Sequence, residues 1–366
     1  MAMVIDPWGS ALPESYEKIV KDFGLELYEN QFPDPNRLMR RGVVFAGRDL
    51  GVIAKCIREK KPYYVLSGIM PTNDKIHFGT KMVIENIKYF QDHGAAETYV
   101  LVADLEAAAT RGVTLEEAQK RALQFHIPAY IAFGLDPKKT IFYFQSQNMK
   151  VVQLAYEFAK KITLNEFRAI YGSADPGRIM AAVAQAGDML FPQLLKDKRM
   201  PGIIPVGIDQ DPHLRLARDL AQRFKAKYQF APLASLYHKY TPSLDGGLKM
   251  SKSLPESAID IPEDIASVKR KIMRAKSGGR DTLEEHRKKG GIPEDDMAFE
   301  LLKQHLVEDD AELATMYRSY KSGKMTTTEL KTITCDKMEA FMKDFETKLK
   351  QAQKKVSKLK FLTLSI

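Results

Sequence analysis

Short apolar runs alternate with stretches of helical spacing through the first two thirds of the chain. "YYVLSG" (63–68) is a β-rich apolar run that ends in small residues. "KMVIENIKYFQDHG" (81–94) repeats its apolar positions at helical spacing and closes on Gly94, a helix stop. "TYVLVADLEA" (98–107) predicts a second strand. "TLEEAQKRALQFHIPAYIAFG" (114–134) predicts a helix, with Thr114 and Glu117 at capping-box spacing. "KTIFYFQS" (139–146) reads as a third strand. A helical stretch over about 150–198 follows, then a buried strand "IIPVGID" (203–209) and the helix "PHLRLARDLAQRF". Strands separated by helices imply a parallel sheet with crossover connections.

The flanks differ from this middle. Residues 1–60 form an N-terminal extension with a helix near Glu14–Phe23, a turn "FPDPN" and the segment "RLMRRGVVFAGRD". From Ile261 to about Lys360 the chain is mostly charged helices. The expected fold class is therefore α/β: a Rossmann-like parallel-sheet domain over 61–260 with a helical insertion at about 108–200, followed by an all-helical domain over 261–366.

Composition narrows the function only a little. The chain has 366 residues, 44% hydrophobic and 28% charged, as in ordinary globular proteins. No run of 18 or more apolar residues predicts a transmembrane helix. The start, "MAMVIDPWGSALPESYEKIV", lacks a basic segment followed by an apolar one and does not read as a secretory signal. Two cysteines, Cys56 and Cys335, are too few for a disulfide framework or a zinc knuckle and fit a reducing cytosol. The net charge of +9 favours a polyanionic partner such as nucleic acid.

Three loops follow strands and carry polar groups, where ligands sit in such sheets. The first, "SGIMPTNDKIHFGT" (67–80), leaves a strand through Gly68 and enters a helix at His77 and Gly79. A helix start offers N–H groups to an anion, and a glycine there lets a nucleotide approach the backbone. A capping histidine and a packing glycine would give the same pattern. The second, "PVGIDQDPHLRLARDLA" (205–221), places Asp209 and Gln210 just after Gly207. They suit ribose hydroxyls or an amine, and Asp209 or Asp211 suits a helix cap equally. The third, "GGLKMSKSLPESAIDI" (246–261), sets Lys249 and Lys252 on a glycine-flanked loop. This is the pattern of mobile cations for a leaving pyrophosphate, and also of a solvated surface turn.

Taken together, "IHFGT" and "KMSKS" resemble the two signature motifs of the class I aminoacyl-tRNA synthetases. "PVGIDQDPHLRLARD", "IMRAKSGGRDTLEEHRKKGG" (272–291) and "YKSGKMTTTELK" (320–331) resemble the tryptophanyl members. "IDPWGS" and "LMRRGVVFAGRD" resemble the N-terminal extension of their archaeal and eukaryotic branch. The resemblance covers nearly the whole chain. It departs at Thr80, where the family motif usually has a second histidine. A threonine hydroxyl replaces one hydrogen bond there but not a cation.

The resemblance implies a two-step reaction. L-Tryptophan and ATP form tryptophanyl-adenylate and pyrophosphate, and the acyl group passes to the 3′ end of tRNA(Trp). It places His77, Gly79, Thr80, Gly207, Asp209, Lys249, Met250, Ser251 and Lys252 at ATP, with His77, Lys249 and Lys252 catalytic. Mg²⁺ would arrive on ATP, with no protein metal site. Leu66, Gly68, Glu106, Gln185, Asp188 and Gln210 would surround the amino acid.

Tyrosyl enzymes, the close relatives, generally carry a tyrosine where this chain has Leu66. Leu66 suits an indole face and leaves a phenol hydroxyl without that partner. Asp188 resembles the indole N–H acceptor of bacterial tryptophanyl enzymes, although tyrosyl enzymes hold a similar aspartate. The eukaryotic tyrosine and glutamine that read the indole correspond to Leu66 and Leu101 here. The resemblance further implies an anticodon-binding role for 261–366, a homodimer with helices of about 150–200 in its interface, a cytoplasmic location, and a segment around Trp8 that closes over ATP. The stretch Lys337–Lys360 has eight lysines and three acids, which fits RNA contact or merely a solvated helix. A binding protein that has lost catalysis, or another adenylyl-transferring α/β enzyme, is the competing reading. The intact lysine loop and the "SGGRDTLEEHR" helices argue against them.

Overall fold

The computed structural model describes residues 15–195, 199–250 and 254–364. The chain divides into two compact units. One contains residues up to Asp74, Met82–Lys239 and the residues from Leu349 on; the other contains Lys75–Lys81 and Tyr240–Lys348. The sequence places a boundary at 260/261 and gives all of 261–366 to the helical domain. The last residues belong instead with the first unit: bridges Phe142–Phe361 and Asn148–Leu364 hold them, and the Met149 N–H donates to Leu364 O at 2.9 Å.

The first unit is built on seven strands. In chain order these are β1 Glu26–Leu27, β2 Val44–Arg48, β3 Tyr64–Ile69, β5 Glu97–Val102, β6 Thr140–Phe144, β7 Gly202–Gly207 and β8 Leu233–His238, while β4 Ile76–His77 and β9 Asp260–Ile261 pair in the second unit. The spatial order is β1-β2-β8-β7-β3-β5-β6. From β8 to β6 the pairs are parallel, and β2 joins β8 antiparallel. The expected parallel sheet is thus present with an antiparallel edge added by the N-terminal extension.

Side-chain alternation sorts the strands onto two faces. Val65, Val100, Phe142 and Ile203 join one apolar cluster, and Leu66, Leu101, Tyr143 and Ile204 join the other. The second face is covered by the helices Met149–Ala159 and Pro176–Leu190, part of the expected helical stretch. The chain proceeds from β3 to β5 and β6, then returns to lay β7 on the other side of β3. This reversal between β3 and β7 is the switch point at which ligand crevices form, at the carboxyl edge of the strands.

Two local expectations change. The strand expected over 98–107 stops at Val102, and Asp104–Arg111 is a helix ended by Gly112 in the left-handed region. "DLEAAATR" is rich in helix formers, which end the extended run once the buried positions are filled. The helix expected over 114–134 keeps its Thr114–Glu117 capping box but contains a π-helical turn at Ala122–His126.

In the second unit, β4 pairs with β9 through Ile76–Ile261 and His77–Asp260. Helices fill the rest, the last being the part of Thr327–Val356 up to Lys348. No helix of the described residues is long and apolar enough to cross a membrane.

The extension is tied to the sheet by a buried carboxylate. Asp211 accepts from Arg48 Nε at 3.0 Å and Tyr237 Oη at 2.6 Å, and pairs with Arg215 Nε at 3.1 Å. Removing such a carboxylate leaves buried donors uncompensated. Asp211→Ala should therefore lower the unfolding free energy by about 3 kcal/mol in denaturant titration. A loss below about 1 kcal/mol would mean the pairs are merely superficial.

Candidate active site

Four parallel strands deliver polar groups at the same edge of the sheet. Strand β3 ends at Gly68 and Ile69, β5 leads into Asp104 and Glu106, β6 into Gln145, and β7 into Asp209 and Gln210. Gly68, Leu101 and Tyr143 lie in one row across β3, β5 and β6. Gly68 has no side chain, and a Cβ there would stand 3.3 Å from Leu101 Cγ. The sheet face is therefore open at Gly68, which is exposed, while Leu66 beneath it is buried. A flat, apolar floor results.

Asp188 is fully buried on the helix over this face. Tyr143 Oη donates to its Oδ1 at 3.0 Å, and Gln145 Nε2 donates to its Oδ2 at 2.5 Å. Burial pushes the Asp188 carboxyl up to about 8. Those two donors pull it back, and the nearby Glu106 and Asp104 charges add to the rise. The same burial, with Asp188 beside it, raises the Tyr143 hydroxyl well above its ordinary value, so it remains a donor. Gln145 Oε1 is buried and has no hydrogen-bond partner among the described residues.

Glu106 is buried in the first turn of its helix and accepts from Gln185 Nε2. Gln185 lies one helical turn before Asp188, so the two face the same side. Nearby, Tyr171 Oη and His213 Nδ1 are 3.0 Å apart. Burial holds the His213 ring down to about 3, which keeps it neutral. Asp104 accepts from the Ser146 amide at 3.0 Å, from Ser146 Oγ at 2.5 Å and from Gln119 Nε2 at 2.9 Å. It thereby pins the end of β6 to the helix that carries Glu106. At Gly207 a Cβ would stand 2.5 Å from Asp209 Oδ1, so a side chain there would push the Asp209 carboxylate aside. Gln210 is half-buried next to Asp209.

The second unit holds the other expected residues. The Thr80 backbone N–H donates to His77 Nδ1 at 3.3 Å. With Nδ1 accepting, the ring proton of the neutral imidazole sits on Nε2, which then serves as a donor. A Cβ on Gly79 would stand 2.9 Å from His77 Nδ1. Lys249 Nζ lies 4.6 Å from the centre of the Tyr240 ring, and the Met250 N–H donates to Thr241 O at 3.0 Å. Ser251, Lys252 and Trp8 lie outside the described residues.

The structure thus brings Glu106 to Gln185, and Leu66, Gly68 and Asp188 to one face of the sheet. It also adds Tyr143, Gln145 and Asp104, which sequence reading counted only as strand residues. The available signal was "FYFQS" itself: polar residues following a buried strand at its carboxyl end.

Comparison with known proteins agrees with this architecture. The family model described as tRNA synthetases class I (W and Y) matches residues 58–343. The tryptophan--tRNA ligase of Methanocaldococcus jannaschii is 39% identical over 360 residues, covering 96% of each chain. That of Aeropyrum pernix is 38% identical over 361 residues, covering 95% of each. The crystal structure of tryptophanyl-tRNA synthetase from Aeropyrum pernix superposes with a TM-score of 0.88, covering 99% of this chain and 100% of that one at 37% identity. The tryptophan-bound tryptophanyl-tRNA synthetase of Encephalitozoon cuniculi superposes with a TM-score of 0.84 at 25% identity, covering 96% of this chain and 99% of that one. The chain belongs to the class I tRNA synthetase family of the tryptophan and tyrosine enzymes.

Proposed function

We propose that the chain is a tryptophan--tRNA ligase whose amino-acid pocket is the open floor at Gly68, closed at one end by Asp188. The carrying observation is a single acidic acceptor within an otherwise apolar face of Leu66, Leu101 and Tyr143. An indole presents a broad apolar surface and one N–H. Asp188 accepts that N–H, with Gln145 Oε1 as a second acceptor beside it. A site that must pair a buried polar group discriminates more sharply than one that selects by size. Glu106, Gln185 and Gln210 hold the ammonium group.

Chemistry then requires positioning and charge stabilisation, with no protein nucleophile. A tryptophan carboxylate oxygen attacks the α-phosphorus of ATP. The bond from that phosphorus to the bridging oxygen breaks, and pyrophosphate departs with its electron pair. His77 Nε2–H, the Gly79 amide and the Thr80 hydroxyl serve the phosphates, and Gly207 and Asp209 serve the ribose. Lys249 and Lys252 follow the growing charge on pyrophosphate, with Met250 and Ser251 in the same loop. ATP is a substrate here and carries Mg²⁺ on its own phosphates. The 3′ end of tRNA(Trp) then accepts the acyl group.

The residues expected to read the anticodon are the helices of 261–366. Near the C-terminus, Lys350, Lys354, Lys355, Lys358 and Lys360 are exposed and have no ion pair among the described residues, whereas Lys337, Lys343 and Lys348 are paired. The unpaired group suits a phosphate backbone. A cytosolic setting agrees with Cys56 and Cys335, which are free and buried. Exposed apolar side chains on the helical insertion, among them Tyr156 at 67%, Leu164 at 57% and Met180 at 45%, suit a dimer interface.

ATP–pyrophosphate exchange should occur with tryptophan among the twenty amino acids. Exchange with tyrosine instead would overturn the substrate, and exchange with none would favour a binding protein. An N–H donor favours the ionised form of Asp188, so tryptophan should bind more tightly as pH rises from about 6.5 through the Asp188 value near 8. The free protein should behave oppositely. Its raised carboxyl binds a proton that the unfolded chain releases, so this stability contribution is present at low pH and declines as pH rises towards 8. Asp188→Asn should flatten both profiles, and an unchanged binding profile would remove Asp188 from the indole. Sedimentation should show a dimer that Met180→Asp shifts towards monomer; an unshifted dimer would place the interface elsewhere.

A further inference from the structure

His305 sits in a π-helical turn, Leu302–Leu306, within the second unit. Such turns are rare and recur at functional sites. The His305 ring stacks on Phe78 with centroids 4.2 Å apart and planes inclined by 26°. Phe78 is the middle residue of His77-Phe78-Gly79 and is fully buried; Phe341 covers it at 5.9 Å. The edge of the same imidazole, Nε2, is hydrogen-bonded to Thr241 Oγ1 at 2.9 Å. Thr241 in turn accepts the Met250 N–H through its carbonyl oxygen at 3.0 Å, and Met250 follows Lys249 in the lysine loop. One buried ring therefore touches the first motif with its face and supports the second motif with its edge.

A ring that merely filled space would be better as phenylalanine, since burying imidazole nitrogens costs free energy unless they are hydrogen-bonded. Here one of the two nitrogens, Nε2, makes that bond, and makes it to the residue from which the lysine loop hangs. We propose that His305 is a positioning residue for the activation step, holding the His77–Gly79 segment and the Lys249–Met250 segment in one register. The proposal rests on the reading of these segments as phosphate-binding.

Two substitutions remove the same hydrogen bond from opposite ends. His305→Phe keeps a ring on Phe78, and Thr241→Val keeps the shape of the threonine. Each should lower kcat for ATP–pyrophosphate exchange about tenfold, within the range that misplaced reacting groups cost. Tryptophan affinity without ATP, measured by equilibrium dialysis, should stay within about twofold, because this binding does not use the motifs. The double variant should be no slower than either single one, since both delete one interaction. Amide hydrogen exchange at Met250 in the free protein should accelerate in each variant. Additive losses, or wild-type kcat together with unchanged Met250 exchange, would overturn the proposal. If the unmodified chain exchanged pyrophosphate with no amino acid, tryptophan activation would fail as a reading. Met250 exchange would still report whether His305 supports the loop.

Discussion

A carboxyl group buried against an apolar sheet face must be neutralised or given donors, and Asp188 sets this requirement at the centre of the first unit. Its partners, Tyr143 and Gln145, come from the end of β6. They meet Asp188 only if β6 is in register with β5 and the helix Pro176–Leu190 lies across both. Asp104 then fixes the end of β6 through Ser146, and the same helix that starts at Asp104 presents Glu106 to Gln185. The placement of the helix Pro176–Leu190, with its contacts to β6 and to Glu106, thus serves to satisfy buried carboxylates. A hydrophobic replacement at Asp188 would relieve this demand and leave the Tyr143 and Gln145 donors without their acceptor.

The requirements on His77 and Lys249 are of another kind. Asp188 is rigid because it is enclosed, whereas His77 and Lys249 are held by short-range geometry within the second unit. Strand β4 places His77 by pairing with Asp260 of β9, a segment just beyond the lysine loop in sequence. Lys271 supports that same segment, pairing with Glu263 at 2.5 Å and donating to Ala258 O at 2.8 Å while itself buried. Sequence-distant motifs are therefore joined by main-chain pairing and one buried cation.

Much of this was legible in the sequence because strand-end loops declare themselves by composition. Gly68, Gly207 and the Gly246–Gly247 pair stand where the backbone must turn or be approached, and polar residues follow each. The residues that were missed share one physical property: their roles are made by register rather than by neighbours in sequence. Tyr143 and Gln145 read as ordinary strand residues, since Asp188 is more than forty positions away. Strand β8 is buried at every position, so it lacks the alternation that distinguishes a strand from a buried helix segment. The return of the C-terminal residues to β6 rests on isolated bridges too short to leave a pattern. The span 98–107 was extended too far because apolar content continues after Val102, although the backbone has already turned helical.

Thr80 shows how a departure from a motif can be absorbed. What the fourth position contributes to the motif's own geometry is a backbone N–H, donated to His77 Nδ1. Any residue except proline supplies that group, so a threonine keeps the tautomer of His77 as firmly as a histidine would. Gly79 is different. A Cβ there would come within 2.9 Å of the same ring nitrogen and force the imidazole away. The constraint on the motif therefore falls on His77 and Gly79, which are present, and only the side chain of the fourth residue is free to change. A threonine in place of a second imidazole removes a group able to carry positive charge, and leaves intact the hydrogen bond that orients His77.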